Sequence, residues 1–226
     1  MIRLRCLNRI WLALVILGAF GCATTPPSEK PSTDETTLWP SKASSWKTHS
    51  SSLGFTIALP SEYLVISKEE LKQNPEILDD MYAAAQKTVL KTAKEPFKER
   101  VKVKMEAGNI EIYRKSDGRV SITVQKQIGE WPETQDKLKK LCEEVELEFT
   151  NTGLNANLQS CEFRIIGHLA ALYLVAGIPA QKTSMLQYVV QASPAIQLSF
   201  TAGTKTQSLE TTENEFYQIM KSLKLR

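Results

Sequence analysis

From residue 46 onward the chain alternates between short stretches with an apolar residue at every second position and longer stretches with a helical apolar period. Residues 54–60 (Gly-Phe-Thr-Ile-Ala-Leu-Pro) alternate and stop at a proline, as an opening strand would. Asn74-Pro75 then suits the start of a helix whose stripe is Leu78, Met81, Tyr82, Ala85 and Val89, ending near Pro96. Residues 109–115 and 119–127 alternate again across Ser116-Asp117-Gly118, which predicts a hairpin. On its second arm Val120, Ile122 and Val124 face one side, and Ser121, Thr123 and Gln125 the other. A helix over 132–149 follows, with Leu138, Leu141, Cys142, Val145 and Phe149 on one face. Four strands are predicted next, over 158–166, 169–176, 185–192 and 196–202. The last helix has a core stripe of Phe216, Ile219, Met220 and Leu223. Its acids Glu210, Glu213 and Glu215 come early and its bases Lys221, Lys224 and Arg226 late, which suits the helix dipole. The pattern predicts an α+β fold with a largely antiparallel sheet flanked by helices, and residues 46–226 have the length of one domain.

The first 45 residues are patterned differently. Arg3, Arg5 and Arg9 precede an unbroken apolar run over 10–20, which is short of the roughly 20 residues a spanning helix needs. Residues 1–21 therefore read as an export signal. Residues 18–22 (Gly-Ala-Phe-Gly-Cys) resemble the lipobox of bacterial lipoproteins, and that resemblance makes Cys22 the lipid-attachment site. Several acyl chains at about 0.8 kcal/mol per buried methylene would hold the protein on the bilayer. Ala23, in place of an aspartate, implies by the same resemblance the outer membrane, facing the periplasm. Residues 22–45 are rich in Pro, Ser and Thr and too poor in apolar groups to form a core. They read as a tether able to reach about 70 Å at ~3.1 Å per residue.

The charge balance changes once the signal is set aside. All of its charge is three arginines, so the remainder carries 25 basic and 25 acidic residues. A nucleic-acid binder would keep a basic surplus in its folded part, and that class is set aside. Cys6 leaves with the signal and Cys22 is taken by lipid, leaving Cys142 and Cys161 in an oxidising compartment. Cys142 on the apolar stripe of one helix, and Cys161 alternating with Phe163 and Ile165 on a strand, would both point to the same core. A disulfide is the reading proposed; two buried free thiols acting as small hydrophobes are the alternative.

The strand at 54–60, the hairpin, the middle helix, the closing strand Gln197-Leu198-Ser199-Phe200-Thr201-Ala202 and the final helix resemble the PsbP-like fold. That fold is shared by an extrinsic photosystem II subunit and by bacterial periplasmic proteins and lipoproteins of the DcrB type. The resemblance implies docking to partners and brings no catalytic residues with it. Residues 63–108, read as helix-rich, are longer than the plain pattern.

Chemistry-bearing motifs are absent from the sequence: there is no GxSxG, HExxH, P-loop, dinucleotide glycine fingerprint or CxxC. The only histidines read as surface residues, His49 in a serine-rich approach segment and His168 at a Gly-His turn. The bases from Lys87 to Lys104 and the acids Glu143, Glu144, Glu146 and Glu148 read as solvated faces. The apolar run 169–176 reads as a central strand covered on both sides, with Tyr173 bonding to backbone. No catalytic, cofactor or metal site is predicted, so the expectation is a non-catalytic module that binds another envelope protein. A carrier of a small apolar or lipidic ligand is the alternative.

Overall fold

A computed structural model describes residues 45–74, 76–77, 96–151 and 156–226. The signal, Cys22, most of the tether and all but residues 76–77 of the helix expected over 75–95 lie outside the described residues.

Two antiparallel sheets form the body. The smaller contains β1 (Trp46–Ser51), β2 (Phe55–Pro60) and β10 (Lys224–Leu225), with β2 in the middle. The larger contains β3 (Tyr63–Ile66), β4 (Ile110–Lys115), β5 (Ser121–Ile128), β6 (Asn157–Ile166), β7 (Leu169–Ile178), β8 (Thr183–Ser193) and β9 (Ile196–Lys205), in the order β3-β4-β5-β9-β8-β7-β6. The helices are α1 (Lys68–Gln73), α2 (Pro96–Glu106), α3 (Gln135–Asn151) and α4 (Leu209–Lys221). The fold is α+β, as the patterning predicts. No helix among the described residues is long and apolar enough to cross a membrane.

Strand alternation sorts the side chains onto two faces of the large sheet. On the first, Ile122, Ala202, Leu186 and Val175 lie in one cross-strand row and Val124, Phe200, Tyr188 and Tyr173 in the next. This face packs on Phe216, Ile219 and Met220 of α4 and on Phe55, Ile57 and Leu59 of β2. On the second face Leu138 of α3 meets Leu172, Leu174 and Val189, while Val145 and Phe149 meet Ala176 and Met185. β7 is buried on both sides from Ala171 to Ile178, which is why its sequence lacks polar alternation.

The β4–β5 hairpin turns at Gly118, whose φ of 70° suits glycine, and Asp117 caps the turn by accepting from the Arg119 N–H at 2.8 Å. Ser67 caps α1, its hydroxyl accepting from the Glu70 N–H. Asn74 closes that helix, and its carbonyl accepts from the Ile77 N–H as the next turn begins.

Three local expectations are corrected. Residues 46–51, read as an approach segment, are strand β1, held because β2 satisfies its backbone along the whole register from Trp46–Pro60 to Ser51–Phe55. Residues 63–66, read within a helix-rich stretch, are edge strand β3, paired to β4. Ile165 does not share the burial of Cys161 and Phe163: on outer strand β6 it is 69% exposed.

Candidate functional site

Three polar clusters sit on the core side of the large sheet. Each joins a tyrosine, a carboxylate and a base.

The most buried is centred on Glu111 of β4, which is 2% exposed. The Tyr113 hydroxyl donates to Glu111 Oε2 at 2.6 Å, and His49 Nε2 on β1 lies 3.1 Å from the same oxygen. The His49 and Tyr113 rings meet edge to face, with centroids 5.5 Å apart. Burial works to raise the Glu111 pKa. Hydrogen bonds from His49, Tyr113 and Ser51, and the His49 charge, outweigh it and hold the carboxyl below its ordinary value. Tyr113 is pushed well above the usual phenol range by burial and by the Glu111 charge, so it stays protonated and donates.

The other two clusters hang from opposite sides of α4. Glu215 accepts from the Tyr63 hydroxyl at 2.5 Å and from Lys115 Nζ at 2.7 Å, reaching β3 and β4. Glu213 accepts from the Tyr173 hydroxyl at 2.7 Å and from Arg164 at 3.0 Å, reaching β7 and β6. The Arg164 guanidinium also stacks 3.6 Å over the Tyr173 ring and donates to Glu162. The buried Tyr188 hydroxyl is close enough to Arg164 to feel its charge but has no partner at ordinary hydrogen-bond geometry among the described residues. Tyr173 therefore bonds to a carboxylate, not to backbone as the sequence suggests. Burial raises the pKa of both Tyr63 and Tyr173, reinforced by their glutamate partners. These phenols are donors at ordinary pH and not nucleophiles. The clusters clasp α4 and β1 to the sheet.

On the other face of the sheet the interior turns polar. Ser121, Thr123 and Gln125 of β5, Ser199 and Thr201 of β9, and Gln187 of β8 are all buried. The Gln187 amide donates to Ser199 at 2.6 Å and to Thr201 at 3.2 Å, leaving its own oxygen without a partner among the described residues. The Gln125 oxygen and the Ser121 hydroxyl are also unpartnered among the described residues. Each such group costs about 1–3 kcal/mol relative to a satisfied one, whereas an apolar residue of the same shape costs nothing in hydrogen bonding. Gln125→Met is accordingly expected to leave stability unchanged or raise it by up to about 1 kcal/mol. Urea denaturation of the two proteins checks this; a loss of more than that would mean Gln125 has a partner in solution.

This polar face runs out into a cleft between the ends of β5 and β9 and helix α3. Gln127 and Gln197 line it with amides, and Trp131, Pro132, Leu141, Leu172 and Val189 form apolar walls. Trp131 is braced by the Phe163 ring at 5.7 Å. Gly129 lets the chain pass Gln197, because a Cβ there would meet the Gln197 amide oxygen at 2.9 Å. The cleft volume is about 40 Å³.

The disulfide proposed from sequence is present: Cys142 of α3 is bonded to Cys161 of β6, with Cα atoms 6.0 Å apart. His49, read as a surface residue, is instead part of the Glu111 cluster. His168 lies exposed in the β6–β7 turn. Among the described residues no group of three or more His, Cys, Asp or Glu is disposed to hold a metal ion. The Glu111 cluster escapes sequence reading because its members come from strands 62 residues apart. Its one visible signal is an acid two positions before a tyrosine on an otherwise apolar strand.

No family model and no curated protein sequence matches the chain. Among solved structures, cyanobacterial PsbP (CyanoP) from Synechocystis is similar with a TM-score of 0.50 and 11% identity, over 84% of this chain and 98% of that one. A crystal structure of a protein from Bacteroides thetaiotaomicron is similar with a TM-score of 0.42 and 9% identity, over 78% of this chain and 47% of that one. The fold is PsbP-like. At 11% identity the likeness is one of fold.

Proposed function

We propose that this protein is a lipid-anchored lipoprotein of the bacterial envelope, held on the outer membrane by acylated Cys22 and facing the periplasm, whose PsbP-like domain is a non-catalytic module for binding an envelope protein. The anchor reading is carried by the layout of three arginines, an apolar run and Gly21-Cys22 ahead of a proline-rich polar stretch. The Cys142–Cys161 bridge supports an oxidising compartment. The binding-module reading is supported by the way the titratable clusters are used: Glu111, Glu213 and Glu215 each accept hydrogen bonds from the protein's own side chains and tie its elements together. The carrier alternative would need a cavity other than the Trp131 cleft, which holds about 40 Å³ where ligand pockets typically reach about 300 Å³ or more.

Expression of the full chain and of Cys22→Ser tests the anchor. The unaltered protein is expected in the membrane fraction with a mass increased by diacylglycerol and lacking residues 1–21, and the variant is expected in neither form. Identical fractionation and mass for both proteins would overturn the reading. Photo-crosslinking from exposed positions of the domain in intact cells tests the partner: discrete adducts are expected, and their absence at every position would count against a binding module.

A further inference from the structure

The Trp131 cleft is too small for a metabolite but large enough for the end of one side chain. Two of its polar groups are acceptors. Gln127 donates its amide to Gln197 at 3.2 Å, which leaves the buried Gln127 oxygen as an acceptor without a partner among the described residues. Glu130, exposed on the rim, has no ion-pair or hydrogen-bond partner within the described protein. The indole of Trp131 lines the same cleft and is held in place by Phe163. Ile128, the next exposed apolar side chain along the chain, is 78% exposed beside the opening. A tryptophan at a small depression is a feature of interface hot spots.

We infer that this cleft is a socket for one arginine side chain of the protein partner. The inference rests on the binding-module reading and names its site. An arginine fits each feature for a separate reason. Its methylenes match the apolar walls of Leu141, Leu172 and Val189. Its planar cation stacks on an indole face. Its fork of five N–H groups can serve the Gln127 oxygen and the Glu130 carboxylate together, which the single ammonium of a lysine is poorly shaped to do. A purely apolar side chain would leave the Gln127 oxygen buried and unsatisfied, and an acidic one would face Glu130.

The folded domain is titrated with N-acetyl-arginine amide and, separately, with N-acetyl-norleucine amide, and followed by ¹H–¹⁵N NMR. The arginine probe is expected to shift the Gly129 amide, the Trp131 indole N–H and the Gln127 side-chain amide saturably, and the norleucine probe is not. Glu130→Gln, a change at an exposed position, is expected to weaken arginine binding about tenfold, as loss of a charged hydrogen bond would, and added salt should weaken it as well. Absence of saturable shifts, equal shifts with norleucine, or an unchanged affinity in Glu130→Gln would overturn the socket. A photo-crosslinker at Ile128 in intact cells supplies the second arm. Adducts elsewhere on the domain with none at Ile128 would sink the socket and leave the binding module standing, whereas loss of adducts at every position would sink the module itself.

Discussion

Glu111→Gln is expected to lower the unfolding free energy by about 3 kcal/mol, the cost typical of breaking a buried, hydrogen-bonded charged group. The magnitude follows from what the carboxylate does. It is 2% exposed and accepts from Tyr113 and from His49 through one oxygen. A glutamine of the same size keeps one acceptor but brings two amide hydrogens into a place arranged only for acceptance. The Tyr113 hydroxyl or the His49 ring then loses its charged partner in a water-poor interior. Because His49 lies on β1 and Glu111 on β4, the variant also loosens the small sheet from the large one. Chemical denaturation measures the loss, and a change below about 1 kcal/mol would show that the cluster is not a clasp.

The same residue sets an acid limit. Its folded pKa is depressed below the ordinary 4.5, so the stability it contributes is fully present above that value and is lost as pH falls through the folded value. The wild-type protein should therefore lose stability below about pH 4.5, and Glu111→Gln should show a flatter acid limb. The tyrosines act in the opposite sense. Tyr63, Tyr113 and Tyr173 have folded values raised above 10.0, so the stability they contribute is complete below that pH and declines as pH climbs beyond it. The phenolate absorbance of these three on alkaline titration, read as the difference between the wild type and the matching Tyr→Phe variants, is expected to appear together with unfolding, not before it.

The strands that the sequence makes legible are those whose two faces differ or whose faces are both apolar. β5 alternates Ile122 and Val124 with Thr123 and Gln125, and β7 runs apolar without a break, so the residue pattern alone marks both as strands. β1 is not marked in this way: Trp-Lys-Thr-His-Ser-Ser presents no apolar face, and its strand state comes from pairing with β2, a contact no local window contains. β3 has four residues, too few for a period to show against the helical pattern that follows. Helix α3 starts at Gln135 instead of Pro132, within the spread expected of helix ends. The candidate sites divide along the same line. Cys142 and Cys161 can be paired from sequence because each lies on a stripe whose direction the period fixes. The tyrosine–carboxylate clusters and the Gln127–Trp131 cleft cannot, since strands distant in sequence converge on each. The polar side of β5 illustrates the limit: alternation places Ser121, Thr123 and Gln125 together correctly, but nothing in the period tells that this side too is buried.

Cys142→Ser is expected to cost about as much as Glu111→Gln, by a different route. The bridge closes 19 residues of chain, and a loop of that size removes about 3 kcal/mol of entropy from the unfolded state in the chain-closure model. What it closes matters as well. α3 covers the second face of β7 and β8 through Leu138, Val145 and Phe149, and β6 is an edge strand with a neighbour on one side only. The bridge fastens the helix to that edge, so without it both should open before the rest of the sheet. Hydrogen exchange in the Cys142→Ser protein, or in the wild type under reductant, is expected to speed up in α3 and β6 while β5, β8 and β9 keep their protection. Uniform acceleration across all strands would mean that the bridge acts only through the unfolded chain, and an unchanged melting temperature in both proteins would remove its structural role altogether.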